Sequence, residues 1–494
     1  MPATRSQRSA CRQRSNELAT LKTASASSHC RTRPCVSQET SWRDESPLTN
    51  LSSASRSNSP TPASTTPKQV VIRGQTLTPT PVLDTLFHWL AERKAIDDRR
   101  REGMPAPWTE DPVLSEYKFC NAYRVLDRTT QFIISEVIEK GSHLSDTELL
   151  FRILLFNCFN RIETWELLEE AFGARLTWAR FDLKAYGKVL SQAIADGVSL
   201  FTAAYMKIGK KIDHDANHMR HLQLLQILMR DLPVILRNAK YAADVFERVA
   251  AYQGLGDFAA FQLVIALSYS RLFNYSANDF VIAGLGASSG LVKIFGRSVT
   301  KAKEAVPHIE GDILRWLVTT QREHFARLNL EFSFLRNAKG QELELDLMDF
   351  EHAVCEVDKY ARKAHPRIRG IGNRTQLRGS FNPSQSNPLP ELVLPKAWEH
   401  PARRAVRVRR RPIQVEQRYV VSKIIAERES EANAKEKHGD EIEYLVSWQG
   451  YTDQTWEPRY AILDDAPTIV KEFHESLKTA TTTKSSKKGR RARR

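Results

Sequence analysis

The chain has 494 residues, with 73 Lys and Arg against 58 Asp and Glu, giving a net charge of +15. That length holds two or three domains, and the basic excess suits an acidic partner such as nucleic acid. There is no apolar run long enough to span a membrane and no apolar leader. The six cysteines (Cys11, Cys30, Cys35, Cys120, Cys158, Cys355) follow neither zinc nor disulfide spacing, as in a reducing compartment.

Residues 1–80 are rich in Ser, Thr, Pro and Arg and poor in periodic apolar residues, which predicts a disordered tail. From 81 to about 365 helical spacing takes over, and an all-α core is expected. Phe87, Leu90 and Ile96 share one stripe. Asp111-Pro112 reads as an N-cap followed by proline at the first helical position, opening a helix that carries Leu114, Tyr117, Phe119 and Tyr123. Ser145-Asp-Thr-Glu148 reads as a capping box before an apolar run that Gly173 ends. Further helices are expected around 183–205, 221–237 and 241–252. His214, His218 and His221 read as a polar helix face, and no metal or cofactor is expected.

Ala250 to Ala266 reads as a helix, a Gly254-Leu-Gly256 turn and a second helix. The pattern resembles the helix-hairpin-helix of DNA-repair proteins. Its glycines permit positive φ and close approach of backbone N–H groups to a phosphate. The plain alternative is an ordinary helical turn. Asp279 follows at about the distance at which helix-hairpin-helix DNA glycosylases hold their catalytic acid/base, so the resemblance makes Asp279 a candidate catalytic residue. The competing assignment is a cap for the next helix. Phe258 stands where bifunctional glycosylases carry their lyase lysine, which disfavours Schiff-base chemistry there.

Pro107 to Arg124 with Asp127-Arg128, Phe156-Asn-Cys-Phe-Asn-Arg161 with Thr164-Trp165, and Cys355-Glu-Val-Asp-Lys-Tyr360 together resemble a second family. This is the α-glutamyl/putrescinyl thymine pyrophosphorylase family, also found as the helical domain of 5-hydroxymethyluracil DNA kinases. The resemblance implies work on hypermodified thymine in DNA. The sequence has no Gly-x-x-x-x-Gly-Lys-[Ser/Thr] loop, and Gly286-Ala-Ser-Ser-Gly290 lacks its Lys and Ser/Thr, so no nucleotide site is expected. Arg124, Asp127, Arg128, Asn157, Asn160 and Arg161 sit among apolar neighbours and fit either a structural network or a base or phosphate pocket. Arg124, Arg128 and Arg161, with Gly254 and Gly256, are the candidate DNA contacts.

Residues 366–418 repeat the Pro, Ser and Arg bias of the tail, with Asn, and read as a disordered basic linker, with 12 Lys and Arg against 3 Asp and Glu. Residues 479–494 add 7 Lys and Arg and no acid. Both runs suit phosphate contacts or nuclear import. Between them, residues 419–478 are acidic. They alternate as strands over 419–427 and 442–448, with a short third strand at Thr455-Trp-Glu and a closing helix near Pro467 bearing Ile469, Val470 and Phe473. The spacing Tyr419 … Trp448-Gln-Gly-Tyr451 … Thr455-Trp-Glu-Pro458 resembles the chromodomains of heterochromatin proteins and Polycomb. That resemblance makes Tyr419, Trp448 and Tyr451 an aromatic cage for a methylated ammonium; the alternative is that these aromatics are only the core of a small domain. Asp453 can face the cation from the short loop, and Trp456 reads as core. The loop 451–455 is shorter than in the best-known readers, and Arg459-Tyr-Ala-Ile-Leu463 replaces their Asn-rich stretch.

The expected partners are a methylated histone tail and DNA, with no membrane, in the nucleus. The main reading is a chromatin-bound protein whose helical core recognises or acts on modified bases. The alternative is a non-enzymatic reader or adaptor, possible also for a retroelement-derived chain.

Overall fold

The computed structural model describes residues 29–32, 67–202, 216–252, 254–372 and, with interruptions, 374–477. Helix boundaries follow local chemistry. Helix α1 (Val82–Arg101) buries Phe87, Leu90 and Ile96. The Asp111 carboxylate accepts from Val113 N and Leu114 N, both at 2.8 Å, to open α2 (Pro112–Glu116). This helix is shorter than its apolar pattern suggests. Tyr117 is already extended, so Phe119 and Tyr123 lie beyond it. Ser145 caps α3 (Asp146–Phe159), but the reciprocal arm of the expected box does not close: the Glu148 carboxylate accepts from Trp178 N and Ala179 N instead. Asn160 adopts φ 47°, which stops α3 and lets α4 (Ile162–Phe172) restart before Gly173 ends the pattern. The longer helices that follow in these regions are α5 (Leu183–Ala195), α6 (Asn217–Asn238), α7 (Ala242–Ala250), α8 (Asp257–Ser268), α9 (Leu285–Phe295), α10 (Arg297–Ala305), α11 (Ile309–Arg327) and α12 (Leu347–Ala364).

These elements form two compact units. The first comprises residues 1–33, 132–273 and 413–494; the second comprises 34–131 and 274–412. Helices α3 to α8 belong to the first. Arg152, buried in it, donates to Val137 O and Glu136 O and lies over the Trp165 ring. His218 and His221 do not form a polar face. Both are buried, His218 against Ser191 Oγ and His221 beside the Phe159 and Phe201 rings. A long apolar helix places its histidines by register, so periodicity outweighs polarity. His214 lies outside the described residues.

The second unit packs α1, α9, α11 and α12 around Phe87, which stacks on His324 at 4.4 Å. Helices α9 and α12 touch closely because a Cβ at Gly290 would meet the Val354 carbonyl at 2.3 Å. The glycines of 286–290 thus serve helix packing. Strands β2 (Val70–Ile72) and β3 (Gln75–Leu77) form a hairpin with Val70, Ile72 and Leu77 buried, so ordered structure begins before the expected boundary at 81. A second hairpin pairs β4 (Leu335–Arg336) with β5 (Glu342–Leu343).

The disorder expected of the basic linker does not hold for its described parts, which hydrogen-bond along this second unit. Phe381 N donates to Glu116 O at 2.7 Å. Gln131 exchanges two hydrogen bonds with the Val393 backbone, accepting at 2.8 Å and donating at 3.1 Å.

The C-terminal sheet is antiparallel, with β6 (Arg418–Glu429), β7 (Ile442–Trp448) and β8 (Gln454–Pro458) in sequence order. Irregularities near Val421 and Ile424 bend β6. Its core is Val421, Ile424, Tyr444, Val446 and Trp448 against Ile469 and Val470 of helix α13 (469–477), with Phe473 packed alongside. The backbone of β1 (His29–Thr32) pairs with the first residues of β6 as a fourth strand. An all-α core and a small curved sheet closed by a helix are therefore present as expected. Among the described residues no helix is long and apolar enough to cross a membrane.

Candidate functional site

The densest group of polar side chains in the second unit forms where residues 120–127 meet one face of α12. The pairing spans 236 residues at its first contact, Cys120 N donating to Glu356 Oε2 at 3.2 Å. The Asp127 carboxylate accepts from Asn121 N at 2.8 Å. Arg124 N donates to Asp349 Oδ1 at 2.7 Å, and its guanidinium approaches His352 Nδ1 at 3.0 Å. On the other side of that ring, Nε2 lies 3.4 Å from Asp127 Oδ2. Lys359 pairs with Glu356 at 2.5 Å. Helical spacing explains this face, since positions 352, 356 and 359 lie on adjacent turns of α12.

Electrostatics follow from burial and crowding. Burial, then Glu356 and Asp127, push the Cys120 thiol well up, so it stays protonated. Burial and the neighbouring Asp346 likewise raise Asp349 well above the usual carboxylate range. Cys120, His352 and Glu356 are the one His/Cys/carboxylate group among the described residues whose ligating atoms gather within 4.8 Å. Arg124 and Lys359 already engage that histidine and that glutamate, so the arrangement is a charge-balanced network presenting a half-buried Arg124. The sequence signal for it was His352-x-x-x-Glu356, an i, i+4 pair on one helix face, which sequence reasoning passed over.

Asp279 has a different setting from the cleft-facing acid expected of it. It is 3% exposed, and both carboxylate oxygens accept main-chain N–H groups: Oδ1 from Arg407 at 2.5 Å and Oδ2 from Ser276 at 3.2 Å. Burial raises its pKa, and these N–H donors with the Arg407 charge oppose the rise. The next helix starts only at Leu285, so Asp279 closes its own turn and pins the linker. The hairpin glycines belong to the first unit and Asp279 to the second.

The hairpin itself forms between α7 and α8. Gly254 takes φ 89°, and Gly256 is the extended N-cap of α8 with open space where a Cβ would stand. Gly254, Gly256, Asn157, His221 and Phe258 line a cavity of about 180 Å³ whose walls are mainly leucine. Burial, with the Arg220 and His218 charges, lowers His221 to about 3, so its imidazole is neutral at physiological pH. Arg161, in the same unit, is half-buried and pairs with Glu163 at 3.3 Å. Arg124 and Arg128 belong to the second unit, Arg128 exposed. The candidate DNA contacts are therefore divided between the units.

In the C-terminal sheet Trp448 is 7% exposed, and its indole N–H donates to Thr455 Oγ1 at 2.7 Å. The Tyr419 side chain, Tyr451 and Asp453 lie outside the described residues. Trp456 is not core: it is half-buried, with the Arg428 guanidinium 4.2 Å above its ring.

Comparison with known proteins matches both regions. The family model described as the helical domain of 5-hmdU DNA kinase covers residues 80–370, and that of the chromodomain covers 419–476. A 5-hmdU DNA kinase of Bacillus phage SP10 is 26% identical over 310 residues, covering 58% of this chain and 45% of that protein. The chain thus spans less than half the length of this curated relative. No solved structure matches.

Proposed function

Because the chain belongs to the family of the 5-hmdU DNA kinase helical domain, we propose that its helical region recognises 5-hydroxymethyluracil or a related modified thymine in DNA. The chromodomain would hold it to chromatin, in the nucleus, by binding a methylated histone lysine. One observation carries the reading: a modified-base DNA domain and a chromodomain occur in the same polypeptide. Tyr419, Trp448, Tyr451 and Asp453 are the proposed methyl-lysine contacts. Arg124, Arg128, Arg161 and the hairpin at Gly254 and Gly256 are the proposed DNA contacts. With no Gly-x-x-x-x-Gly-Lys-[Ser/Thr] loop in its 494 residues, the role assigned to this chain is recognition, not phosphoryl transfer. Catalysis by Asp279 does not enter, since both carboxylate oxygens are committed to the backbone.

The test is a competition assay with the full chain. Oligonucleotides carrying 5-hydroxymethyluracil should displace a labelled probe better than thymine controls of the same sequence. Nucleosomes bearing trimethylated lysine should bind better than unmodified ones. Equal affinity for the two oligonucleotides would remove the base-recognition half of the reading; equal affinity for the two nucleosomes would remove the reader half.

A further inference from the structure

We propose that the cavity shared by the Gly254–Gly256 hairpin and His221 is a pocket for a single pyrimidine ring, the modified base of the proposed function, on which this assignment rests. Its volume, about 180 Å³, is the first argument. An apolar cavity of about 150 Å³ holds one benzene ring, so this space is large enough for one six-membered ring with a small substituent. Leu224, Leu228 and Leu255 supply apolar walls of the kind a flat heterocycle displaces water from.

The second argument is unmet hydrogen-bonding capacity. His221 is 7% exposed, yet its buried Nε2 has no hydrogen-bond partner among the described residues. A buried polar atom left in that state is unfavourable, and a turn of the ring towards the cavity it lines would bring the atom to a ligand. Asn157, half-buried on the same cavity, makes no side-chain hydrogen bond among the described residues. A neutral imidazole and a carboxamide offer donors and acceptors, and the edge of a uracil ring carries two carbonyls around one N–H. The third argument is access. Phe258, 43% exposed, borders the cavity and can stack on an extruded base. Beside it the N-terminus of α8 begins at a glycine with nothing near its Cβ position, leaving room for the phosphate of the same nucleotide.

The experiment uses the full chain and two single-stranded oligonucleotides, identical except for one 5-hydroxymethyluracil in place of thymine. Binding is read by fluorescence anisotropy and stability by thermal unfolding. His221→Leu fills similar space and removes an unpaired buried polar atom, so the melting temperature should hold or rise while the preference for the modified strand falls about tenfold. Asn157→Ala, at a half-buried position, should lower the preference by a similar factor without unfolding the protein. If the wild type prefers the modified strand and both variants keep that preference in full, the pocket is elsewhere and the proposed function stands. If the wild type shows no preference, pocket and proposed function fall together.

Discussion

Lys293 Nζ lies 3.2 Å from Asp358 Oδ1, and the two side chains are only 4% and 7% exposed. Ser289 Oγ donates to the same carboxylate at 2.7 Å and Arg362 at 2.6 Å, while the Lys293 ammonium also donates to the Asp358 carbonyl. This pair ties α9 to α12, and Asp358 is a member of the Cys355–Tyr360 motif. Burial alone would raise Asp358. The Arg362 and Ser289 hydrogen bonds and the Lys293 charge more than offset it and hold the carboxyl below its ordinary range. Lys293→Met leaves Asp358 held by Arg362 and Ser289 but takes away its buried ammonium partner, so it should cost about 1–3 kcal/mol in urea unfolding. Because the folded pKa of Asp358 is depressed, its contribution is present above the unfolded value and is lost as pH falls through the folded one. A loss under about 1 kcal/mol for Lys293→Met would show that the pair is not a fastener.

The start of α12 predicts the opposite pH response. Asp346 accepts from Met348 N and Asp349 N with one oxygen, and the Asp349 carboxylate accepts in return from Asp346 N. Burial lifts Asp346 to about 6. A raised folded pKa means that the native state binds the proton more tightly, so stability should rise as pH drops from about 7 towards 5. Asp346→Asn keeps the accepting oxygen and deletes the charge. It should therefore stabilise the protein at neutral pH and flatten this part of the profile. A variant with an unchanged slope would assign the titration to another group.

Asp279→Asn can satisfy Arg407 N or Ser276 N but not both, since the amide nitrogen would face an N–H. The expected loss is about 1–3 kcal/mol in thermal or chemical unfolding. Affinity for modified DNA should persist after correction for the folded fraction. Selective loss of a base-processing activity at unchanged stability would restore Asp279 as a catalytic residue.

The proposed methyl-lysine cage overlaps the core of the chromodomain. Trp448 is part of the small sheet core, so Trp448→Ala should cost about 3–5 kcal/mol and unfold much of the domain. Tyr419→Leu and Tyr451→Leu are the better probes of a cage. Each should weaken binding of a trimethyl-lysine peptide by about tenfold or more, with the circular dichroism of the chain unchanged. Equal wild-type binding of methylated and unmethylated peptides would dismiss the cage.

Non-specific DNA affinity should fall steeply with salt. Deleting residues 479–494 removes 7 positive side chains. If several of them neutralise phosphates, the slope of log K against log salt should become shallower by about 0.9 for each phosphate left unneutralised. An unchanged slope would place the electrostatic binding elsewhere.

Local features of this chain were legible because their causes are local. Asp111, Ser145 and Gly173 mark helix ends through hydrogen bonds or backbone angles within a turn, and the strand alternation of β6 and β7 follows from one buried face. Asn160 was harder: an apolar run across it looks continuous, and only its left-handed φ breaks the helix. What sequence could not give was convergence. Cys120 meets Glu356, and Asp279 meets Arg407, through contacts set by packing of the whole second unit. His221 shows the same limit in reverse, since its spacing with His218 suggests a polar stripe while packing among aromatic rings makes both histidines interior.

The linker contacts carry a consequence for where this protein can be cut. Family resemblance stops at 370, yet the second unit continues to make backbone and side-chain bonds as far as Arg407. A fragment ended at the family boundary would leave the Gln131 amide without Val393 and the Asp279 carboxylate without Arg407, exposing polar groups that the native fold encloses. Homology and autonomy therefore have different endpoints here. The evolutionary module is shorter than the physical one, and a soluble helical fragment should be sought by extending to about 412.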